Sequence, residues 1–149
     1  MKIEEEIKQY KFKGEYQKLM INLLFTGKWT SNIASYYVKD HKLTTQQYNV
    51  LRILRGQKNN CITVNAISER MIDKMSNVSR LIDKLKDKGL VERTINSDDR
   101  RQVDIQITQK GIDTIASIEA KENEMFERFK TLNEQEAITL NNLLDKLRG

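Results

Sequence analysis

The sequence predicts a mainly α-helical chain with one small β-hairpin. Three observations carry that prediction. The 149 residues include no proline and only six glycines, so helices meet few breakers. Apolar residues recur at spacings of three and four along most of the length. Clean alternation of period two is confined to Val103-Asp104-Ile105-Gln106-Ile107. The length suits a single domain with a real core.

The elements follow in order. Residues 3–38 read as one long helix or two joined ones, with Ile7, Tyr10, Leu19, Met20, Leu23, Leu24, Ile33 and Tyr37 at helical spacing. Gly14 and Gly27 are its points of bend or interruption. Leu43-Thr44-Thr45-Gln46 starts the next helix, with Thr44 or Thr45 as N-cap. Tyr48, Val50, Leu51 and Leu54 form its buried face, and Gly56 ends it. Cys61-Ile62-Thr63-Val64 forms a short strand. A short helix over Asn65–Met71 turns Ala66, Ile67 and Met71 inward.

The stretch from Met75 to Lys88 is sharper. Val78, Leu81, Ile82 and Leu85 fall at i, i+3, i+4 and i+7, one inward face, with Asp73 capping the start and Gly89 closing the end. Leu90–Ile95 and Val103–Ile107 are the two hairpin strands, joined by the charged tip Asn96-Ser97-Asp98-Asp99-Arg100-Arg101-Gln102. Thr108 caps a long final helix carrying Ile112, Ile115, Ile118, Met125, Phe126 and Phe129, which Leu132-Asn133 breaks. Ala137, Leu140, Leu144 and Leu147 then give a last helix a narrow apolar seam suited to helix–helix packing.

Composition narrows the function. Lysine and arginine number 26 against 21 aspartates and glutamates, a net charge of +5. Residues 1–57 carry 10 basic against 5 acidic side chains, residues 58–111 carry 11 against 8, and residues 112–149 carry 5 against 8. The basic excess thus lies in the first three-quarters, where it suits either an anionic polymer or simply a solvated surface. No apolar run approaches the ~20 residues that span a bilayer, and MKIEEEIKQY is too charged for a secretory leader. A single cysteine points to a reduced, cytoplasmic setting. One cysteine and one histidine, Cys61 and His41, give no metal site or catalytic pair. With no phosphate-cradling glycine loop and no nucleophile beside a base, the expectation is a non-enzyme without cofactor or metal.

Eight of the ten aromatic residues lie within residues 10–48. Such a gathering fits a dimer interface or ordinary core packing.

Three short helices followed by a two-stranded hairpin with a basic tip describe a winged helix-turn-helix. In that arrangement the third helix buries one face and offers short polar side chains and arginine to base edges in the major groove. Ser76, Asn77, Ser79 and Arg80 meet the requirement near a helix N-terminus, whose dipole also favours phosphate. At the tip, an arginine can enter a narrow minor groove while a neighbouring aspartate orients its guanidinium.

These segments resemble the multiple-antibiotic-resistance regulator (MarR) family. Leu43-Thr44-Thr45-Gln46-Gln47-Tyr48-Asn49-Val50-Leu51 is similar to that family's opening motif, and Ile67-Ser68-Glu69-Arg70-Met71 to its next segment. Val78–Leu85 and Gly89-Leu90-Val91-Glu92-Arg93 resemble its recognition helix and first wing strand. Asp99-Arg100-Arg101, followed seven residues later by Thr108 and then Gly111, resembles its wing signature. The resemblance covers residues 43–111. It implies a homodimeric, sequence-specific regulator, usually a repressor, that binds a pseudo-palindromic duplex and releases it on meeting a small molecule or oxidant. Residues 1–40 and 112–149 would form the helical dimerisation region and 43–111 the DNA-binding region of one domain, residues 1–149.

By position, the resemblance implies that Ser76, Asn77, Ser79 and Arg80 read the major groove and Arg101 the minor groove. Asp99 would orient Arg101, Arg100 would lie near the backbone, and Lys74 and Lys84 would meet phosphates. Asp73 and Lys74 depart from the small residues usual in that turn. Trp29, Tyr36, Tyr37 and His41 would wall a site for an anionic or phenolic effector, or pack an interface. Oxidant-sensing relatives carry a cysteine near the start of the first helix, which is absent here. Cys61 reads as a small buried apolar residue. The alternative function is a winged-helix protein-interaction module without sequence-specific DNA binding.

Overall fold

The computed structural model describes residues 1–57, 60–95 and 103–149. Helix α1 (Ile3–Glu6) and helix α2 (Glu15–Val38) are separate, and Gly14, with φ of 151°, stands at the start of α2. Only glycine adopts that conformation readily. Gly27 sits inside α2 without interrupting it, whereas the break between the helices spans residues 7–14, from Ile7 at the end of α1 to Gly14 at the start of α2.

A single 3-10 turn, Lys39–His41, leads to α3 (Thr45–Arg55). Thr44 accepts the Gln47 N–H while the Gln47 side chain accepts the Thr44 N–H, a reciprocal capping box that also explains why Gln47 is buried. Strand β1 is only Ile62–Thr63, and Thr63 caps α4 (Val64–Arg70). Helix α5 (Val78–Asp87) follows, then β2 (Val91–Ile95), β3 (Val103–Ile107), α6 (Gln109–Glu119), α7 (Glu122–Glu127) and α8 (Glu134–Arg148).

The strands form one antiparallel sheet in the order β1-β3-β2, with Val91 opposite Ile107 and Ile95 opposite Val103. The core lies between this sheet and α3–α6. Val50, Leu51 and Leu54 of α3 meet Ile67 of α4, Ile82 and Leu85 of α5, Ile105 of β3 and Ile115 of α6. Gly89 adopts φ of 69° and turns the chain from α5 into β2.

Three expectations need correction. Helix α5 starts later than Met75: Asp73 Oδ1 accepts the Met75 N–H in a local turn, and Asn77 is the N-cap. The helix after Thr108 is broken at Ala120–Lys121, well before Leu132-Asn133. There the Lys121 N–H bonds back to Ile118, tightening the last turn of α6 before α7 begins. Cys61 is exposed rather than buried, because it precedes a two-residue edge strand; its Sγ lies 3.9 Å from Gln106 Oε1.

Candidate nucleic-acid interface

Helix α5 buries Val78, Ile82 and Leu85 and turns Ser79, Arg80, Asp83 and Lys84 to solvent. The spacing of the apolar positions fixes this division, so the polar face is held rigidly. Asn77 Oδ1 accepts the Arg80 N–H at 3.1 Å, which satisfies one N-terminal donor. Its oxygen is therefore engaged locally, and what Asn77 offers outward is its amide N–H. Ser76 is half-buried, and its Oγ has no hydrogen-bond partner among the described residues. Lys74 is exposed in the preceding turn and donates to the Glu69 carbonyl. Asp99, Arg100 and Arg101 lie outside the described residues.

Arg93 was not among the residues singled out from the sequence. From β2 it reaches α5, with Nη1 2.7 Å from Asp83 Oδ1 and Nη2 donating to the Ser79 carbonyl at 3.5 Å. The signal that would have found it is the pairing of a strand arginine with a helix aspartate, which becomes visible only once strand and helix are packed together.

A cavity of about 310 Å³ opens between α2, α3 and the α6–α7 junction, with Tyr37, Tyr48, Arg52, Ile118, Glu122 and Met125 in its walls. Tyr48 donates its hydroxyl hydrogen to Glu122 Oε1 at 3.2 Å, and Arg52 Nη1 lies 3.5 Å from the same oxygen. One helical turn on, Arg55 pairs with Glu119. The Tyr48 hydroxyl is pushed up to about 12, chiefly by burial and next by the Glu122 carboxylate. This polar cluster joins the first helix of the winged module to the helices that follow it.

Of the four residues expected to wall an effector site, Tyr37 faces this cavity. Trp29, Tyr36 and Tyr37 line a second, more open one beside Arg128. His41 sits in the 3-10 turn and is on the wall of neither. Tyr48, Arg52 and Glu122 were missed because α3 and α7 are far apart in sequence. Among the described residues no cluster of histidine, cysteine or carboxylates could hold a metal ion, and no helix is long and apolar enough to cross a membrane.

The comparisons with known proteins agree with this architecture. The MarR family model matches residues 43–103. The transcriptional repressor MdtR of Bacillus subtilis (strain 168) is 32% identical over 106 residues, covering 70% of this chain and 67% of that protein. A cysteine-to-serine variant of MarR from E. coli, complexed with operator DNA, shares the fold. Its TM-score is 0.81 at 24% identity, covering 93% of this chain and 99% of that one. An organohalide-sensing transcriptional regulator in its 2,4-dichlorophenol-bound form also has a TM-score of 0.81, at 20% identity, covering 94% and 85%. The helix order, the small antiparallel sheet and the sequence match over its centre lead to one assignment: the chain belongs to the MarR family of transcriptional regulators.

Proposed function

We propose that the chain binds double-stranded DNA as a cytoplasmic homodimer, repressing transcription until a small anionic or phenolic molecule releases it. The observation that carries the reading is α5: one face locked into the core, the other presenting Ser79, Arg80 and Lys84 beside an antiparallel wing. That is the chemistry a major groove accepts. Residues 43–111 form the DNA-binding region, and residues 1–40 and 112–149 the dimerisation region. Ser76, Asn77, Ser79 and Arg80 read the major groove, Asn77 through its amide N–H and Ser76 through a hydroxyl left without a partner among the described residues. Lys74 and Lys84 meet phosphates. Arg101 enters the minor groove, oriented by Asp99 and flanked by Arg100. No enzymatic step belongs to this reading.

The dimer reading has support in the apolar side chains that α2 and α8 leave uncovered, among them Leu19, Met20, Leu24, Leu143 and Leu147. The effector reading has support in the cavity at the α3–α7 joint, where apolar walls surround the Tyr48, Arg52 and Glu122 polar groups. An occupant there would press directly on the winged module.

The test is a fluorescence-anisotropy titration of the chain against the DNA upstream of its own gene and a scrambled duplex, at two salt concentrations. Specific binding predicts clear preference for the upstream fragment and an affinity that falls steeply with salt, by about 0.9 log unit per log salt for each phosphate neutralised. Arg101→Ala should weaken binding with the dimer intact. Arg80→Ala should lose more affinity for the preferred duplex than for the scrambled one, and an equal loss on both would make Arg80 a phosphate contact. No binding even at low salt would sink the reading in favour of a protein-interaction module.

A further inference from the structure

We propose that Arg93 is a positioning residue that ties the wing to the recognition helix and so sets the preference between duplexes, an inference that rests on the DNA-binding reading above. Arg93 lies mid-strand in β2, opposite the fully buried Ile105 of β3. Its guanidinium spans one turn of α5, touching the Ser79 carbonyl at one end and the Asp83 carboxylate at the other. Ser79 and Asp83 are separated by four residues and share a helix face. The side chain is 29% exposed, and its Nε is buried with no hydrogen-bond partner among the described residues. A group held at two points, with its third nitrogen sealed off, has little freedom to swing.

The consequence is mechanical and electrostatic together. The α5 face and the wing tip are meant for neighbouring grooves, and β2 runs directly into the segment holding Asp99, Arg100 and Arg101. Their relative placement decides whether both can be seated on one duplex. The planar, forked guanidinium suits this task, since it fixes direction as well as distance. Asp83 also puts a negative charge, 55% exposed, on the face turned to a polyanion. Its neutralisation by Arg93 keeps that face acceptable to phosphate.

The tie can be read with the full chain, a duplex that the wild-type chain selects from a random-sequence pool, and a scrambled duplex of equal length. Asp83→Asn and Arg93→Gln should each lower the ratio of the two affinities about tenfold, and the double variant should lose little more, because each change breaks the same Arg93–Asp83 ion pair. The opposite pattern overturns the proposal: Arg93→Gln weakens both duplexes equally and lowers the salt slope by about one, as a phosphate contact would, while Asp83→Asn leaves the ratio unchanged. Should Arg93→Gln fold poorly, the exposed Asp83→Asn carries the test. Hydrogen exchange on the free chain gives a second readout that needs no DNA. Amides of β2 and β3 should exchange about tenfold faster in Asp83→Asn, with those of α3 unaffected, and unaltered exchange in the sheet would discard the tie. A wild-type chain that selects no duplex would count against the DNA-binding reading, whereas exchange still judges the tie.

Discussion

The winged module and the terminal helices use apolar residues in opposite ways. Between Leu43 and Ile118 the large apolar side chains of the helices meet one another, and Val50, Leu51, Ile67, Ile82, Leu85, Ile105 and Ile115 are fully buried within a single chain. Helix α8 has no buried residue at all, although Ile138, Leu140, Leu143 and Leu147 lie along it. Helix α2 buries only Ile33, Tyr37 and Val38 of its 24 residues. Each leucine left in water forgoes about 1.5–3 kcal/mol of burial. The module is therefore complete in one chain, whereas the arms are built to be covered, which is the physical argument for a second copy.

The largest expected effect breaks the comparison at the arms. Leu143→Glu with Leu147→Glu should leave the winged core folded, because both side chains are more than half exposed. In a symmetric dimer each change occurs twice, so the dissociation constant should rise at least about 1,000-fold. Sedimentation velocity should then find a particle of one 17.5 kDa chain; an unchanged two-chain mass would show that α8 is not the covered face.

A smaller effect should follow inside the module. A Cβ at Gly111 would press on the Leu90 carbonyl and stand 2.7 Å from Ile107 Cγ1. Backbone cannot yield as a flexible side chain does, so Gly111→Ala should destabilise the chain by about 3 kcal/mol. Urea unfolding measures it, and a loss below about 0.5 kcal/mol would mean that α6 packs less closely on the sheet.

The smallest effect sharpens the comparison at the joint between the two regions. Tyr48 titrates near 10 when unfolded and is pushed up to about 12 in the fold. Below pH 10 it is neutral in both states and adds no pH dependence. From pH 10 to 12 the unfolded chain loses this proton first, so stability falls as pH rises through that window. The phenol is only half-buried, so screening reduces the effect to about 1 kcal/mol. Tyr48→Phe should remove that part of the slope in urea midpoints measured from pH 9 to 12, and an identical slope in both proteins would deny the group its shift.

Much of this architecture was legible in the sequence because it is local. The Thr44 and Thr108 caps, the apolar face of α5, the Gly89 turn and the alternation of β3 each depend on residues within a few positions of one another. Errors arose where a local signal had two outlets. Asp73 was able to cap a helix or close a turn, and it closes the turn because Asn77 stands nearer the first buried position, Val78. The periodicity after Thr108 continues through residues 120 and 121, where the chain nevertheless breaks and Glu122 meets Tyr48 and Arg52.

The sequence by itself determined the order of the elements, the inward faces of α3, α4, α5 and α6, and the family. Those features follow from periodicity, capping chemistry and the spacing of motifs, all of which are written along one line. Tertiary structure alone decided that Arg93 grips α5, that Tyr48 and Arg52 share Glu122, and that Leu140, Leu143 and Leu147 of α8 stay exposed. Such pairings join residues far apart in sequence, and only packing sets the distances on which their energies depend.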